Sequence, residues 1–181
     1  ITSTGSGIGG ATAKYYHSGW KTAGPTASNG VALAVIDGSV GSLKHRMEYG
    51  GAAQEKYQNL STNSFVIFQT VLASMKLVES NGVTVLNGGT QYYASGWKTF
   101  GAGTSTTTME LLPMNYNFKM SYGGASLEKS QDIGSDPDIV FQTALVEMKL
   151  VASDNTTILN GGTQYYASGW KTFGSGTSMT T

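Results

Sequence analysis

The sequence predicts an all-β protein made of tandem β-sandwich units and no helix. Three observations carry that prediction. The stretch NGGTQYYASGWKTFG occurs twice without change, at Asn87–Gly101 and Asn160–Gly174, and a diverged copy, GGATAKYYHSGWKTAG, fills Gly9–Gly24. Self-similarity at a fixed period marks an array of one structural unit. Trp97 and Trp170 lie 73 residues apart, as do Phe68 and Phe141, whereas Trp20 and Trp97 lie 77 apart. The first copy therefore carries four extra residues between Trp20 and Met47. Finally, apolar residues alternate along several short runs punctuated by Asn-Gly, Gly-Gly and Asp-Pro, the pattern of half-buried strands joined by tight turns.

The elements follow in order through the complete middle unit. Leu145–Leu150, the counterpart of Leu72–Leu77, alternates with Val146, Met148 and Leu150 inward and Glu147 and Lys149 outward. After a Gly-rich turn comes the Tyr-Tyr/Trp strand pair. Met109–Leu112 is a short strand stopped by Pro113, which cannot donate to a ladder. Tyr116–Tyr122 places Tyr116, Phe118, Met120 and Tyr122 on one face. Asp138–Thr143 and Phe65–Phe68 are dense in β-branched and aromatic residues and read as strands buried on both faces. Expected core positions are Phe118, Met120, Tyr122, Ile139, Phe141, Met148 and Leu150, with Lys76, Lys119 and Lys149 exposed. Three units result: 1–70, a divergent sandwich without its first strand; 71–143, complete; and 144–181, the N-terminal half of a third. Thr70 adjoins Val71 and Thr143 adjoins Ala144 without a linker, which favours stiff joints.

Composition narrows the function. Charged residues make up 12% of the chain, about half the usual ~25%. Lys plus Arg equals Asp plus Glu at 11 each, so there is no electrostatic footprint for nucleic acid or an anionic membrane. No apolar run reaches the ~18–20 residues of a membrane helix. Absence of cysteine excludes disulfides and thiolate metal sites. The chain opens on Ile1, so a processed or excerpted sequence is expected.

Met75-Lys76-Leu77, Gly88-Gly89, Tyr92-Tyr93, Gly96-Trp97-Lys98, Glu110-Leu111-Leu112-Pro113 and Tyr116–Met120 together resemble a tandem repeat of bacterial secreted and surface proteins. Its units are similar to the prealbumin-like, carboxypeptidase-regulatory-like (Ig-like) β-sandwich. The resemblance implies a non-enzymatic structural module, extracellular or at the cell surface, used as fibre, stalk or adhesin array. The chain departs from the family where Gly103–Thr108 replaces an Asp-x-x-Gly-like turn. In the first unit Val35-Ile36-Asp37-Gly38 replaces the Leu-Leu-Pro corner and His45 stands in place of Phe118.

Candidate functional residues are few. Tyr16, Trp20, Tyr93, Trp97, Tyr166 and Trp170 are candidates for glycan stacking or inter-unit contact, because aromatic faces are large and rigid; core packing is the alternative. Tyr92 and Tyr93 must point to opposite faces. A buried Trp favours a structural role, and an exposed aromatic row with polar neighbours favours a carbohydrate-binding module, the alternative function. His17 and His45 have no counterparts in other copies, which argues against an enzyme. Asp132, Asp136 and Asp138 offer oxygen ligands for calcium, but Asn59, Asn63 and Phe65 replace them in the first unit, so a solvated loop is expected and no cofactor or metal. Lastly, the first unit lacks the strand that the third carries as Val146, Met148 and Leu150. Either the chain is a window on a longer covalent array, or copies complete each other's terminal units by strand addition, head to tail; polysaccharide is a further candidate partner.

Overall fold

The computed structural model describes residues 1–37, 39–101, 105–173 and, for the backbone, 179–180. Gly38, together with Gly103 and Thr104 of the divergent turn, lies outside the described residues. No helix occurs among the described residues, and the protein is all-β.

The first unit forms one antiparallel sheet. Its strands are β1 (Thr12–Tyr16), β2 (Trp20–Pro25), β3 (Ser42–Tyr49) and β4 (Ala52–Asn59), in the order β2-β1-β3-β4. The middle unit repeats that sheet with β7 (Gly89–Tyr93), β8 (Trp97–Thr99), β10 (Asn115–Tyr122) and β11 (Ala125–Asp132), in the order β8-β7-β10-β11.

A second sheet closes the middle unit into a sandwich. At its centre is β5 (Val71–Val78). On one side β12 (Asp138–Gln142) runs parallel to it, from Asp138 opposite Ser74 to Gln142 opposite Val78. On the other side lie β9 (Thr106–Leu111) and then the short β6 (Val85–Leu86), both antiparallel. Ala73, Met75 and Leu77 of β5 point inward and meet Tyr92, Phe100, Tyr116, Phe118 and Met120 of the facing sheet, with Leu111, Ile139 and Phe141 at the flanks. The rings interlock edge to face: Phe100–Phe118 at 5.9 Å and Tyr92–Tyr116 at 6.0 Å between centroids.

The third unit has β13 (Met148–Val151) paired with β14 (Ile158–Leu159) and β17 (Met179–Thr180), and the hairpin of β15 (Gln164–Tyr166) and β16 (Trp170–Thr172).

Several expectations are corrected. Phe65–Phe68 forms no strand, and Phe65 and Ile67 are exposed. Its counterpart β12 buries Ile139 and Phe141 but not Val140, because β12 is an edge strand with one face in solvent. Tyr122 is 47% exposed, at the last position of β10 beside the Gly123-Gly124 turn. Met148 is half-buried and Leu150 and Val146 are exposed. Their phase is nonetheless the inward one, for the equivalent Met75, Leu77 and Ala73 are buried; what differs is that, among the described residues, only the β15–β16 hairpin stands for the facing sheet of the third unit. Strand pairing starts at Met148, not at Leu145. Lys76 and Lys119 are half-buried, Lys119 because it lies on Trp97. The strands β4 and β11 were not anticipated.

Phe118→Ala or Phe141→Ala is expected to cost about 3–5 kcal/mol, as for other fully buried rings, and Leu150→Ala less than about 1 kcal/mol, as at exposed sites. Urea denaturation of the full chain checks the contrast; similar costs at Phe118 and Leu150 would contradict it.

Candidate functional site

In each unit the Tyr-Tyr-x-Ser-Gly-Trp segment makes a three-residue hairpin. The backbone N–H of its x residue donates to the glycine carbonyl: His17 to Gly19, Ala94 to Gly96 and Ala167 to Gly169, all at 2.8–2.9 Å. Closing so tight a loop puts Ser18, Ser95 and Ser168 at φ of 50–56°, a left-handed region that disfavours side chains.

Alternation along β7 then separates the tyrosines. Tyr92 is 2% exposed in the core, and Tyr93 is 49% exposed on the outer face. The second tyrosine and the tryptophan of every copy pack edge to face: Tyr16–Trp20 at 5.6 Å, Tyr93–Trp97 at 5.5 Å and Tyr166–Trp170 at 5.7 Å. All six therefore share the outer face of their sheets.

Cations cover that face. Lys119 Nζ lies 3.8 Å from the Trp97 ring centroid and also meets Glu128 at 3.0 Å. Lys44 and Arg46 approach Trp20 at 5.8 Å. Such contacts are worth about 0.5–1 kcal/mol at exposed sites. Trp97 is half-buried, whereas Trp170 is 69% exposed, since no counterpart of Lys119 stands over it among the described residues. On the first unit Tyr16, Trp20, Ser42, Lys44 and Tyr57 line an open groove of about 380 Å³.

A second surface joins the units. Tyr92 Oη donates to Gly50 O (2.9 Å) and Ser95 Oγ to Gly51 O (3.3 Å). One repeat later Tyr165 Oη donates to Gly123 O (3.3 Å) and Ser168 Oγ to Gly124 O (2.9 Å). Thus the Gly-Gly turn of one unit seats on the hairpin of the next, twice over. The glycines have φ of 59–85°, as a two-residue hairpin turn with both central residues left-handed demands. Across the first joint Glu110 also accepts from Ser3 Oγ (2.6 Å) and Thr70 Oγ1. Burial raises the Glu110 carboxyl, but these hydrogen bonds outweigh it and hold it below its ordinary value. By itself Gly123-Gly124 signals only a turn; the repeat of Tyr-Gly-Gly-Ala at Tyr49–Ala52 and Tyr122–Ala125 is the signal that marks the joint.

The acidic loop serves its own turns. Asp132 accepts from Gly134 N (2.9 Å), Asp136 from Asp138 N (3.1 Å), and Asp138 from Ser74 Oγ (2.5 Å). No group of three metal-ligating side chains is placed to hold an ion among the described residues. His45 is 8% exposed, and its Nε2 has no hydrogen-bond partner among the described residues.

No protein-family profile and no curated protein matches the chain. Among solved structures it resembles the Bacillus anthracis TIE protein at 13% identity, over 96% of this chain and 40% of that one, with a TM-score of 0.27. The chain spans 40% of that protein's length, and so slight a likeness carries no argument.

Burial lowers the His45 pKa from 6.5, and Lys56 opposite it on β4 lowers it further. The fold therefore favours neutral imidazole. Its contribution is fully present above about pH 6.5 and is lost as pH falls, because the unfolded chain takes up the proton first. The melting temperature of the first unit is expected to fall between pH 7.5 and 5, and His45→Phe, the residue of the second unit, to flatten that dependence. An unchanged slope in the variant would show that His45 is not the titrating group.

Proposed function

We propose that the protein is a non-enzymatic structural array, a segment of a secreted or cell-surface fibre, stalk or adhesin. The observation that carries this reading is the joint that recurs between units, with the same tyrosine and serine hydroxyls on the same two glycine carbonyls. Direct continuity at Thr70–Val71 and Thr143–Ala144 adds to it, as does the ring face of Trp97, which Lys119 occupies.

Strand addition extends the reading. In the second unit Thr143 N donates to Val78 O, and in the first Thr70 N donates in the same way to Ile1 O, each at 2.9 Å. Ile1 thus holds the place of the last residue of β5. In this reading a strand is received beside it, between 31–36 and 65–69, where Leu33, Val35, Phe65 and Ile67 are exposed, an aggregation-prone arrangement unless covered. That strand is the 146–150 segment of another copy, with Leu150 where Leu77 sits in the second unit and Met148 directed toward Met47. The contact is heterologous and propagates head to tail. Deleting Val146–Val151 is expected to abolish polymers seen by light scattering; polymers that persist would refute strand addition while leaving the array reading intact.

A carbohydrate-binding role is the second reading, favoured by the exposed Tyr166 and Trp170 and by the groove at Trp20. Tryptophan fluorescence during titration with soluble cello-, xylo- and chito-oligosaccharides separates the two. The structural reading expects no saturable change, and a saturable shift would replace it with the glycan reading.

A further inference from the structure

The inter-unit joint has a steric requirement that the first unit does not meet. A Cβ built on Gly51 would lie 2.9 Å from Ala94 O and 3.4 Å from Ala94 Cβ, and one on Gly124 would lie 2.7 Å from Ala167 O and 3.5 Å from Ala167 Cβ. A side chain on either glycine would therefore run into the backbone carbonyl of the next hairpin's alanine and would just touch its methyl group, which leaves room for little more than a methyl between turn and hairpin. Both alanines are enclosed, at 6% and 9% exposure. An imidazole is several heavy atoms larger than a methyl group, and neither joint has room for one. In the first unit this position is His17, which is exposed.

We infer that the alanine of the Tyr-Tyr-Ala-Ser-Gly hairpin admits the Gly-Gly turn of a preceding unit, and that His17 closes the first unit's hairpin to that contact. The rigidly docked run then begins at the first unit, and any unit of this kind placed before it sits in a different orientation. The hairpin itself tolerates the substitution. His17 makes the same turn hydrogen bond as Ala94, at 2.9 Å, and Ser18 has nearly the φ of Ser95. The positive φ is common to all three serines and belongs to the hairpin, whereas among the described residues only Ser95 and Ser168 donate across a joint. The inference goes beyond the proposed function and holds whether the array is a stalk or binds glycans.

Ala94→His transplants the first unit's residue into a working joint of the full chain. The chain has no cysteine, so Ser28→Cys in the first unit and Lys129→Cys in the second, both exposed, accept spin labels without background. Distance measurement by double electron–electron resonance is expected to give one narrow distribution for the parent and loss of that distribution in A94H. Ala94→Ser, close to alanine in size, is expected to keep it. Methyl NMR signals of Met75 and Met120 report whether the second core survives. An unchanged distribution in A94H overturns the inference, as does equal broadening in A94S. Loss of the core signals in A94H also overturns it, because the argument requires the hairpin to accept histidine.

Discussion

The structure depends on one strand. β5 is paired on both sides and supplies the inward Ala73, Met75 and Leu77, so it is at once the spine of one sheet and the wall facing the other. Where it is present, 106–111 and 138–142 become strands, and Leu111, Ile139 and Phe141 are buried. The first unit has the corresponding stretches, but among the described residues no central strand pairs with them, they form no ladder, and Leu33, Val35, Phe65 and Ile67 are exposed. Backbone groups need partners before they can be buried, which is why similar apolar stretches order in one unit and not in the other. In the third unit the strand is present, the opposite sheet among the described residues is the β15–β16 hairpin, and Leu150 is half exposed.

The outer surfaces follow from the same alternation. Because Tyr92 is committed to the core, Tyr93 must face outward, and the tight hairpin brings Trp97 beside it. The side of Tyr92 that completes the core carries a hydroxyl long enough to reach Gly50 of the preceding unit. One residue therefore ties the interior of a unit to its orientation in the array. Lys119 and Glu128, opposite each other on β10 and β11, place charge over Trp97 and keep the aromatic row from presenting a continuous apolar face.

Much of this was legible in the residues. The repeat, the inward phase of Phe118 and Met120, the split of Tyr92 from Tyr93 and the stop at Pro113 all follow from local pattern. β11 was not legible, because Ala125–Asp132 has no apolar alternation and is exposed at nearly every position. It is a strand because the Gly123-Gly124 turn folds it back on β10, where Ser126 meets Ser121 at 2.7 Å and Ser130 meets Asn115 at 2.9 Å. The failure at Phe65–Phe68 has the opposite cause: its pattern is that of a strand, but among the described residues no strand lies beside it to pair with. The joint was hidden for a third reason, since its acceptors are backbone carbonyls that leave no side-chain signature.

Amide hydrogen exchange on the full chain tests the central claim directly, because it compares equivalent segments that differ in having β5 beside them. The account predicts strong protection across 106–111 and 138–142 and fast exchange across 31–36 and 65–69, within one molecule and one experiment. Equal protection of 65–69 and 138–142 would show that these segments order without the central strand, and would contradict it.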